Sequence, residues 1–200
     1  LGSENIDSRL RAADPSVNAP AGQARWLGRP IAELSQLQRV LVVGSDLRKD
    51  HPLFAQRIRQ AVRKGAHLHV LDDTAPAWAM AVRSTVLADS AVWVQALAGI
   101  AAAVAAEKGV GAPVAVQPDD AQRAIAASLL GGEHKAVLLG NAAAHHEKAA
   151  SLLALANFIA EHTGASVGYL TEAANTVGAQ LVGAVPGQGG QPAGAMLTGG

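Results

Sequence analysis

The sequence predicts an α/β fold in three layers, built on a mostly parallel, doubly wound sheet. Two short apolar runs stop at a glycine, since residues 40–43 precede Gly44 and residues 136–139 precede Gly140. Helical segments with apolar periodicity follow both runs, which gives two strand–turn–helix units. Both runs are apolar at every position, as in parallel strands that are covered by helices on both faces.

Residues 39–71 form the clearest unit, with a helix between two strands. Asp50 is the predicted N-cap of this helix, and Pro52 occupies its first turn, where the missing N–H of proline costs nothing. The second strand runs over residues 67–71. The two strands are expected to lie parallel at the sheet centre, joined by a right-handed crossover.

The remaining elements are predicted from apolar periodicity, from glycines that end helices and from acidic residues in first helical turns. They are a short extended segment within residues 82–87, helices at 90–107 (capped by Ser90), 119–130 and 146–162, and strands at 136–139 and 166–169. We predict an irregular N-terminal segment over residues 1–35, an α/β domain over 36–180, and a flexible Gly/Pro-rich tail over 181–200. Residues 186–200 are expected to lack fixed structure, because they hold too few apolar groups to offset the entropy of ordering.

Charge and composition exclude several classes of function. Sixteen basic and sixteen acidic residues cancel, so the chain as a whole carries no electrostatic footprint for nucleic acid. The chain has no cysteine, which excludes thiolate zinc sites, cysteine-ligated iron–sulfur clusters and cysteine nucleophiles within it. The most apolar stretch, residues 91–106, falls short of the roughly 20 residues that a membrane span needs. No direct membrane insertion is therefore expected.

The turns at the carboxyl ends of the strands are the candidate ligand site. Ligands of open α/β sheets bind at this edge, where glycine turns bring backbone N–H groups towards phosphate. The candidate binding residues are Gly44, Ser45, Asp46, Asp72, Gly140 and Asn141. Neither turn has the G-x-G-x-x-G or Walker pattern, and Asp46 and Asp50 would repel a phosphate. The simpler interpretation, that both glycines only allow the turns, therefore stays open.

The histidines do not indicate a catalytic or metal centre. His67 and His69 share one face of a strand, and with Asp72 or Asp73 they could ligate a metal. Two histidines at this spacing more often lie beneath a helix or on a half-buried edge. We therefore predict no metal ligand and no catalytic residue.

Several phrases of the sequence resemble the molybdopterin oxidoreductase superfamily. Residues 39–52 (RVLVVGSDLRKDHP) resemble its VGSN-R-x-x-HP stretch, residues 63–72 resemble the k-k-G-A-k-h-x-v-h-D that follows, and residues 1–11 resemble its N-N-[IV]-D-x-x-x-R start. In the second half, residues 138–146 (LLGNAAAHH) and 170–178 (LTEAANTVG) resemble one branch. That branch is the large iron–sulfur subunit of bacterial NADH-quinone oxidoreductase, respiratory complex I.

The resemblance implies a cofactor cleft that has decayed. In active molybdopterin enzymes, the loop that matches residues 44–46 and the strand end that matches Asp72 contact the guanine dinucleotide parts of the cofactor. Here Asp46 replaces an asparagine, and Asp72-Asp73-Thr74 replaces the usual D-P-R. Both changes weaken binding, because a carboxylate now faces phosphate and a cation is lost. In the large iron–sulfur subunit, the resemblance implies a domain retained as structure, without molybdenum. The iron–sulfur clusters of that subunit bind to cysteines in an N-terminal region outside this chain.

We therefore expect a non-catalytic piece of the large iron–sulfur subunit, without a cofactor of its own. Its parent would carry electrons from NADH towards quinone, in the cytoplasmic peripheral arm of an inner-membrane complex. Its partners would be the remaining regions of the same subunit and other complex I subunits, and not nucleic acid. Two alternatives stay open. One is the molybdopterin guanine dinucleotide-binding domain of an active formate dehydrogenase-like or nitrate reductase-like enzyme, and the other is an independent Rossmann-like module that binds a small molecule.

Overall fold

The computed structural model describes residues 2–9, 14, 24–75 and 77–199. Five strands form one sheet: β1 (Arg39–Val43), β2 (His67–Asp72), β3 (Ser84–Leu87), β4 (Lys135–Leu139) and β5 (Ser166–Tyr169). Their order across the sheet is β3-β2-β1-β4-β5, and every neighbouring pair is parallel. The predicted α/β fold class is confirmed.

The helices are α1 (Leu47–Asp50), α2 (Pro52–Arg63), α3 (Trp93–Lys108), α4 (Asp120–Leu130), α5 (Asn141–Ala144), α6 (Ala149–Thr163), α7 (Thr176–Leu181) and α8 (Ala193–Thr198). Short 3-10 turns cover Ile31–Gln36 and Ser90–Val92. The predicted boundaries of the N-terminal segment and of the tail stay predictions. Residues 1, 10–13, 15–23 and 200 of these two segments lie outside the described residues.

The strand β1 lies at the centre of the sheet and is buried on both faces. Leu41 and Val43 pack into the core beneath α3, α4 and α6, whereas Val40 and Val42 pack into the core beneath α2. This alternation follows from the two-residue period of a strand. The predicted parallel pairing of β1 with β2 is confirmed. The right-handed crossover between them stays a prediction.

The register of the strands aligns their carboxyl ends. Val43 is level with Leu71 of β2 on one side and with Leu139 of β4 on the other. The chain builds the sheet outwards from β1 in one direction and from β4 in the other. The switch point between β1 and β4 is therefore the place where such folds form a ligand crevice.

Helix α3 is the apolar centre of one face. The helical segment Ser90–Lys108 has 19 residues and is long and apolar enough to cross a membrane by length and composition alone. This corrects the expectation that the stretch is too short. Every residue from 96 to 105 is buried against the sheet and the neighbouring helices, so the apolar composition is explained by the core. The expected absence of membrane insertion stays a prediction.

The start of the segment Ser90–Lys108 differs from the sequence prediction. The cap is Asp89 and not Ser90. Asp89 Oδ1 accepts a hydrogen bond from the Ala91 N–H at 2.9 Å. The first turn is a 3-10 turn, and the α-helix begins at Trp93. A carboxylate suits this position because it accepts an N–H that has no partner in the helix.

Two further helices begin later than predicted. Asp50 ends α1, and His51 occupies the position before α2. The helix predicted over 146–162 begins at Ala149, because His146 forms a turn instead. Its Nδ1 accepts a hydrogen bond from the Lys148 N–H at 2.9 Å, and its Nε2 donates to the Ser90 carbonyl at 2.9 Å.

The tail contacts the N-terminal segment. The Gly187 N–H donates to the Glu4 carbonyl at 3.1 Å, and the Ala193 N–H donates to Asp7 Oδ2 at 3.0 Å. The expectation of no regular structure is therefore wrong for α8. The backbone N–H groups of the tail find hydrogen-bond acceptors in the N-terminal segment, more than 180 residues away along the chain. The local sequence does not show these partners.

We still expect the backbone of the tail to exchange its amide protons rapidly. Helix α8 has six residues, too few to be stable by itself, and Leu197 on it is 83% exposed. Hydrogen exchange should show little protection over residues 186–199 and strong protection over residues 40–43. Slow exchange throughout the tail would contradict its predicted mobility.

Candidate ligand site at the carboxyl edge of the sheet

The turn after β1 is closed by its neighbours. Gly44 has φ +62°, in the left-handed region that glycine adopts without strain. Its N–H donates to the Leu71 carbonyl at 2.9 Å, and its carbonyl accepts from the Ala142 N–H at 3.1 Å. A Cβ at Gly44 would lie 2.6 Å from the Trp93 ring and 2.8 Å from the Ala143 nitrogen. The space in front of this turn is therefore filled by protein.

The turn after β4 packs directly on the first. The Gly140 N–H donates to the Val43 carbonyl at 2.8 Å. A Cβ at Gly140 would collide with the Gly44 carbonyl oxygen and with Ser45 Cβ. The two glycine turns therefore contact each other directly, and each glycine is needed for this close approach.

Asp72 supplies an internal anion at the same edge. Its carboxyl group is buried, and Oδ2 accepts from the Ser45 N–H at 3.1 Å while Oδ1 accepts from the Asp73 N–H at 2.9 Å. Burial raises the pKa of Asp72 to about 6. The Ser45 hydroxyl donates to Asp50 Oδ2 at 3.4 Å. Ser45, the residue best placed to bind an anion, is thus bonded to two carboxyl groups of the chain itself.

The other two candidate residues lie at the margin of this network. Asp46 forms an ion pair with Lys49 at 3.1 Å. Asn141 begins α5, and its Oδ1 is buried without a hydrogen-bond partner in the described part of the chain. The structure thus brings Gly44, Ser45, Asp72 and Gly140 into contact. The role of all six candidates in binding stays a prediction.

Two cavities lie near this edge, and neither is lined by any of the six candidates. One has a volume of about 430 Å³ and is bounded by Trp93 and His146, whose rings stack with centroids 5.9 Å apart. The other has a volume of about 510 Å³ and lies where β5 ends. Sequence reasoning missed both, because their walls come from segments far apart in the chain.

The walls of the 510 Å³ cavity carry several ionisable side chains. His145 Nε2 lies 2.7 Å from Glu172 Oε2, and the Arg25 guanidinium lies 5.5 Å from the centroid of the Tyr169 ring. The sequence predicts His145 near a helix start and Tyr169 at the end of a strand. No local pattern indicates that either residue borders a cavity.

His67 and His69 share one face of β2, as predicted, and both rings contact one serine. His67 Nδ1 lies 3.1 Å and His69 Nε2 lies 2.8 Å from Ser128 Oγ on α4. Within the described ranges, no three His, Cys, Asp or Glu side chains are grouped as a metal site would need. Burial, together with the neighbouring His67, Arg39 and Arg83, lowers the pKa of His69 to about 4.

His69 and Asp72 should give opposite contributions to the pH dependence of stability. The folded-state pKa of His69 is below its ordinary value of 6.5, so its stabilisation is lost as the pH falls from about 6.5 to about 4. The folded-state pKa of Asp72 is above its ordinary value of 3.8, so its stabilisation is lost as the pH rises through about 6. In the native chain these two contributions partly cancel.

Single variants should separate these contributions. Asp72→Asn keeps an acceptor for the Ser45 N–H, and it should make the protein lose stability on acidification from about pH 6.5 to 4. His69→Gln should instead make it gain stability over this range. For each variant, the free energy of unfolding should change by roughly 2–3 kcal/mol between these two pH values. Urea unfolding at both pH values measures this free energy. If stability changed with pH in the same direction in both variants, these assignments would be contradicted.

Comparison with known proteins identifies a family and a similar fold. A family model described as molybdopterin oxidoreductase matches residues 1–198. No curated protein gives a match. Among solved structures, the chain is similar to one in the X-ray crystal structure of the formyltransferase/hydrolase complex (FhcABCD) from Methylorubrum extorquens in complex with methylofuran.

That structural similarity has a TM-score of 0.53 with 19% sequence identity. It covers 86% of this chain and 46% of that chain, so this chain spans less than half the length of that protein. At this identity the similarity shows a shared fold alone.

Proposed function

Because this chain belongs to the molybdopterin oxidoreductase family, we propose that it is a structural domain that has kept the sheet of that family without binding its dinucleotide cofactor. The observation that carries this proposal is the closure of the two glycine turns at the switch point. Backbone donors that a pyrophosphate would need there already have partners within the chain. The amides of Gly44, Ser45, Gly140 and Ala142 all donate to groups of the protein.

The residues at this edge do not fit a dinucleotide. Asp72 accepts the Ser45 N–H, and Asp50 accepts the Ser45 hydroxyl, so both donors already bind carboxyl groups. A pyrophosphate at the same place would lie next to these carboxyl groups. Each close pair of like charges costs roughly 1–4 kcal/mol at intermediate dielectric. No step of catalysis through a molybdenum cofactor is therefore proposed for this chain.

The proposed parent is the large iron–sulfur subunit of NADH-quinone oxidoreductase. Residues 138–146 and 170–178 support this choice, because they resemble that branch of the family. The iron–sulfur clusters of the parent would lie outside this chain, which has no cysteine. The domain would then support the electron-transfer arm on the cytoplasmic side, in contact with other regions of the subunit and with neighbouring subunits. Val182 and Leu197, which are 82% and 83% exposed, are apolar groups suited to such contacts.

Elemental analysis and calorimetric titration test the proposal. The purified chain should contain no stoichiometric molybdenum or iron, and GDP and NADH should not bind with a Kd tighter than about 1 μM. The double variant Asp50→Asn with Asp72→Asn provides the matched control. Removing both carboxylates should strengthen GDP binding relative to the native chain, and guanosine, which has no phosphate, should show no such gain.

Two results would overturn the proposal. Stoichiometric molybdenum or iron in the native chain would favour the cofactor-binding domain of an active molybdenum oxidoreductase. Micromolar or tighter binding of GDP to the native chain would show that the closed turns still accept a nucleotide.

A further inference from the structure

We propose that the 510 Å³ cavity at the end of β5 binds a small organic anion, whose carboxylate or phosphate group pairs with Arg25. This cavity is separate from the glycine turns, because none of the six candidate residues lines it. Its volume is within the range of roughly 300–1,000 Å³ that is typical of small-molecule sites.

The fold holds Arg25 at the wall of this cavity. Residues 25–27 lie along β5, where the Tyr169 N–H donates to the Trp26 carbonyl at 2.8 Å. Gly168 permits this approach, because a Cβ there would collide with the Leu27 carbonyl oxygen. The backbone of Arg25 is fixed in turn, since its N–H donates to Gln180 Oε1 at 2.7 Å.

The guanidinium of Arg25 forms no ion pair among the residues that the structure describes. It is half-buried over the face of the Tyr169 ring, 5.5 Å from the centroid, which is the geometry of a cation–π contact. Burial lowers the pKa of Arg25, which means that the cation is partly desolvated, whereas Tyr169 and Asp14 raise this pKa and Arg9 lowers it. A guanidinium has five N–H donors in a planar fork that matches a carboxylate or phosphate.

The other charged side chains of the wall already have partners. Arg9 binds Asp7 with two hydrogen bonds, from Nε to Oδ1 at 2.8 Å and from the guanidinium to Oδ2 at 3.1 Å. His145 forms its ion pair with Glu172. Among the described residues, Arg25 is therefore the cation of this wall that has no carboxylate partner.

The remaining lining suits the apolar body of such a ligand. Ala144, Leu170, Ala173 and Ala179 contribute to the wall. The hydroxyl of Tyr169 is buried and has no hydrogen-bond partner in the described ranges. Since the hydroxyl is shielded from the cavity, Tyr169 acts through its ring, which positions the guanidinium. The affinity for the ligand should therefore depend on Arg25 and on the ring of Tyr169, but not on the Tyr169 hydroxyl.

Calorimetric titration of the full chain with three probes of similar size tests this site. Benzoate and phenyl phosphate carry the anionic group on an apolar ring, whereas benzyl alcohol is the neutral counterpart. We expect at least one of the anions to bind with a Kd at or below about 1 mM, and benzyl alcohol to bind at least about tenfold more weakly. The stronger of the two anions identifies the preferred group. Failure of both anions, or equal binding of benzyl alcohol, would overturn the proposal.

Variants of the wall identify Arg25 as the anchor. Arg25→Gln should weaken binding of the anion at least about tenfold, because it removes a charge-assisted contact. Arg59→Gln, on the exposed face of α2, removes the same charge outside the cavity and should bind the anion as the native chain does. Arg25→Lys should recover part of the affinity if Arg25→Gln acts through charge. Equal affinity of Arg25→Gln and the native chain, with both folded by circular dichroism, would refute the assignment. The structural role proposed above does not depend on this result.

Discussion

Replacing Val42 with aspartate should leave the domain largely unfolded at neutral pH. Val42 is fully buried in the central strand, level with Val70 of β2 and Leu138 of β4. Its side chain packs in the apolar core beneath α2, where its described neighbours are hydrophobic side chains that cannot pair with a carboxylate. Burying a charge without a partner costs several kcal/mol, which is a large share of the roughly 5–15 kcal/mol that stabilises a typical domain.

Urea unfolding followed by circular dichroism measures this loss. The matched control is Leu53→Asp, which introduces the same side chain at a position that is 74% exposed. Leu53 lies in the first turn of α2, where an acid interacts favourably with the helix dipole. The control should therefore change stability by less than about 0.5 kcal/mol. An unchanged midpoint for Val42→Asp would show that β1 is not the buried centre of the sheet.

Gly140→Ala should strongly destabilise the carboxyl edge of the sheet. The added Cβ would collide with the Gly44 carbonyl oxygen and with Ser45 Cβ. The nearest contact is with backbone, so no side-chain rotation can relieve it, and the two turns must separate. Overpacking of this kind typically costs about 1–3 kcal/mol, and we expect the upper end of that range.

Gly111→Ala is the matched control for this change. No atom lies within 4 Å of a Cβ at Gly111, and its backbone is outside the left-handed region. The same added methyl should therefore be neutral, or slightly stabilising through a smaller unfolded-state entropy. Equal midpoints for the two variants would mean that the turns after β1 and β4 are not in close contact.

Much of the sheet could be predicted because its signals are local. The apolar run at residues 40–43 and the glycine that follows it specify a buried strand and a turn by themselves. The errors at the helix starts have a different origin. Asp89 replaces Ser90 as a cap, and His146 leaves the predicted helix because its ring bonds to the Ser90 carbonyl, 56 residues away.

The candidate site could be predicted only in part. Local sequence places Gly44 and Gly140 at the same edge, because parallel strands end at one side of a sheet. It does not show that the turns contact each other, or that the Asp72 carboxyl group accepts the Ser45 N–H, 27 residues away in the chain. Those facts depend on the register of three strands.

Local sequence is sufficient to specify the α/β class, the buried strands and the two glycine turns, since hydrophobic period and turn chemistry act over a few residues. The pairing of polar groups depends instead on how the elements pack. Arg25 reaches the Tyr169 ring, and His69 reaches Ser128, through contacts between segments that the sheet brings together. Burial and hydrogen bonding depend on three-dimensional distance, and for residues far apart in a chain that distance is set by packing and not by local pattern.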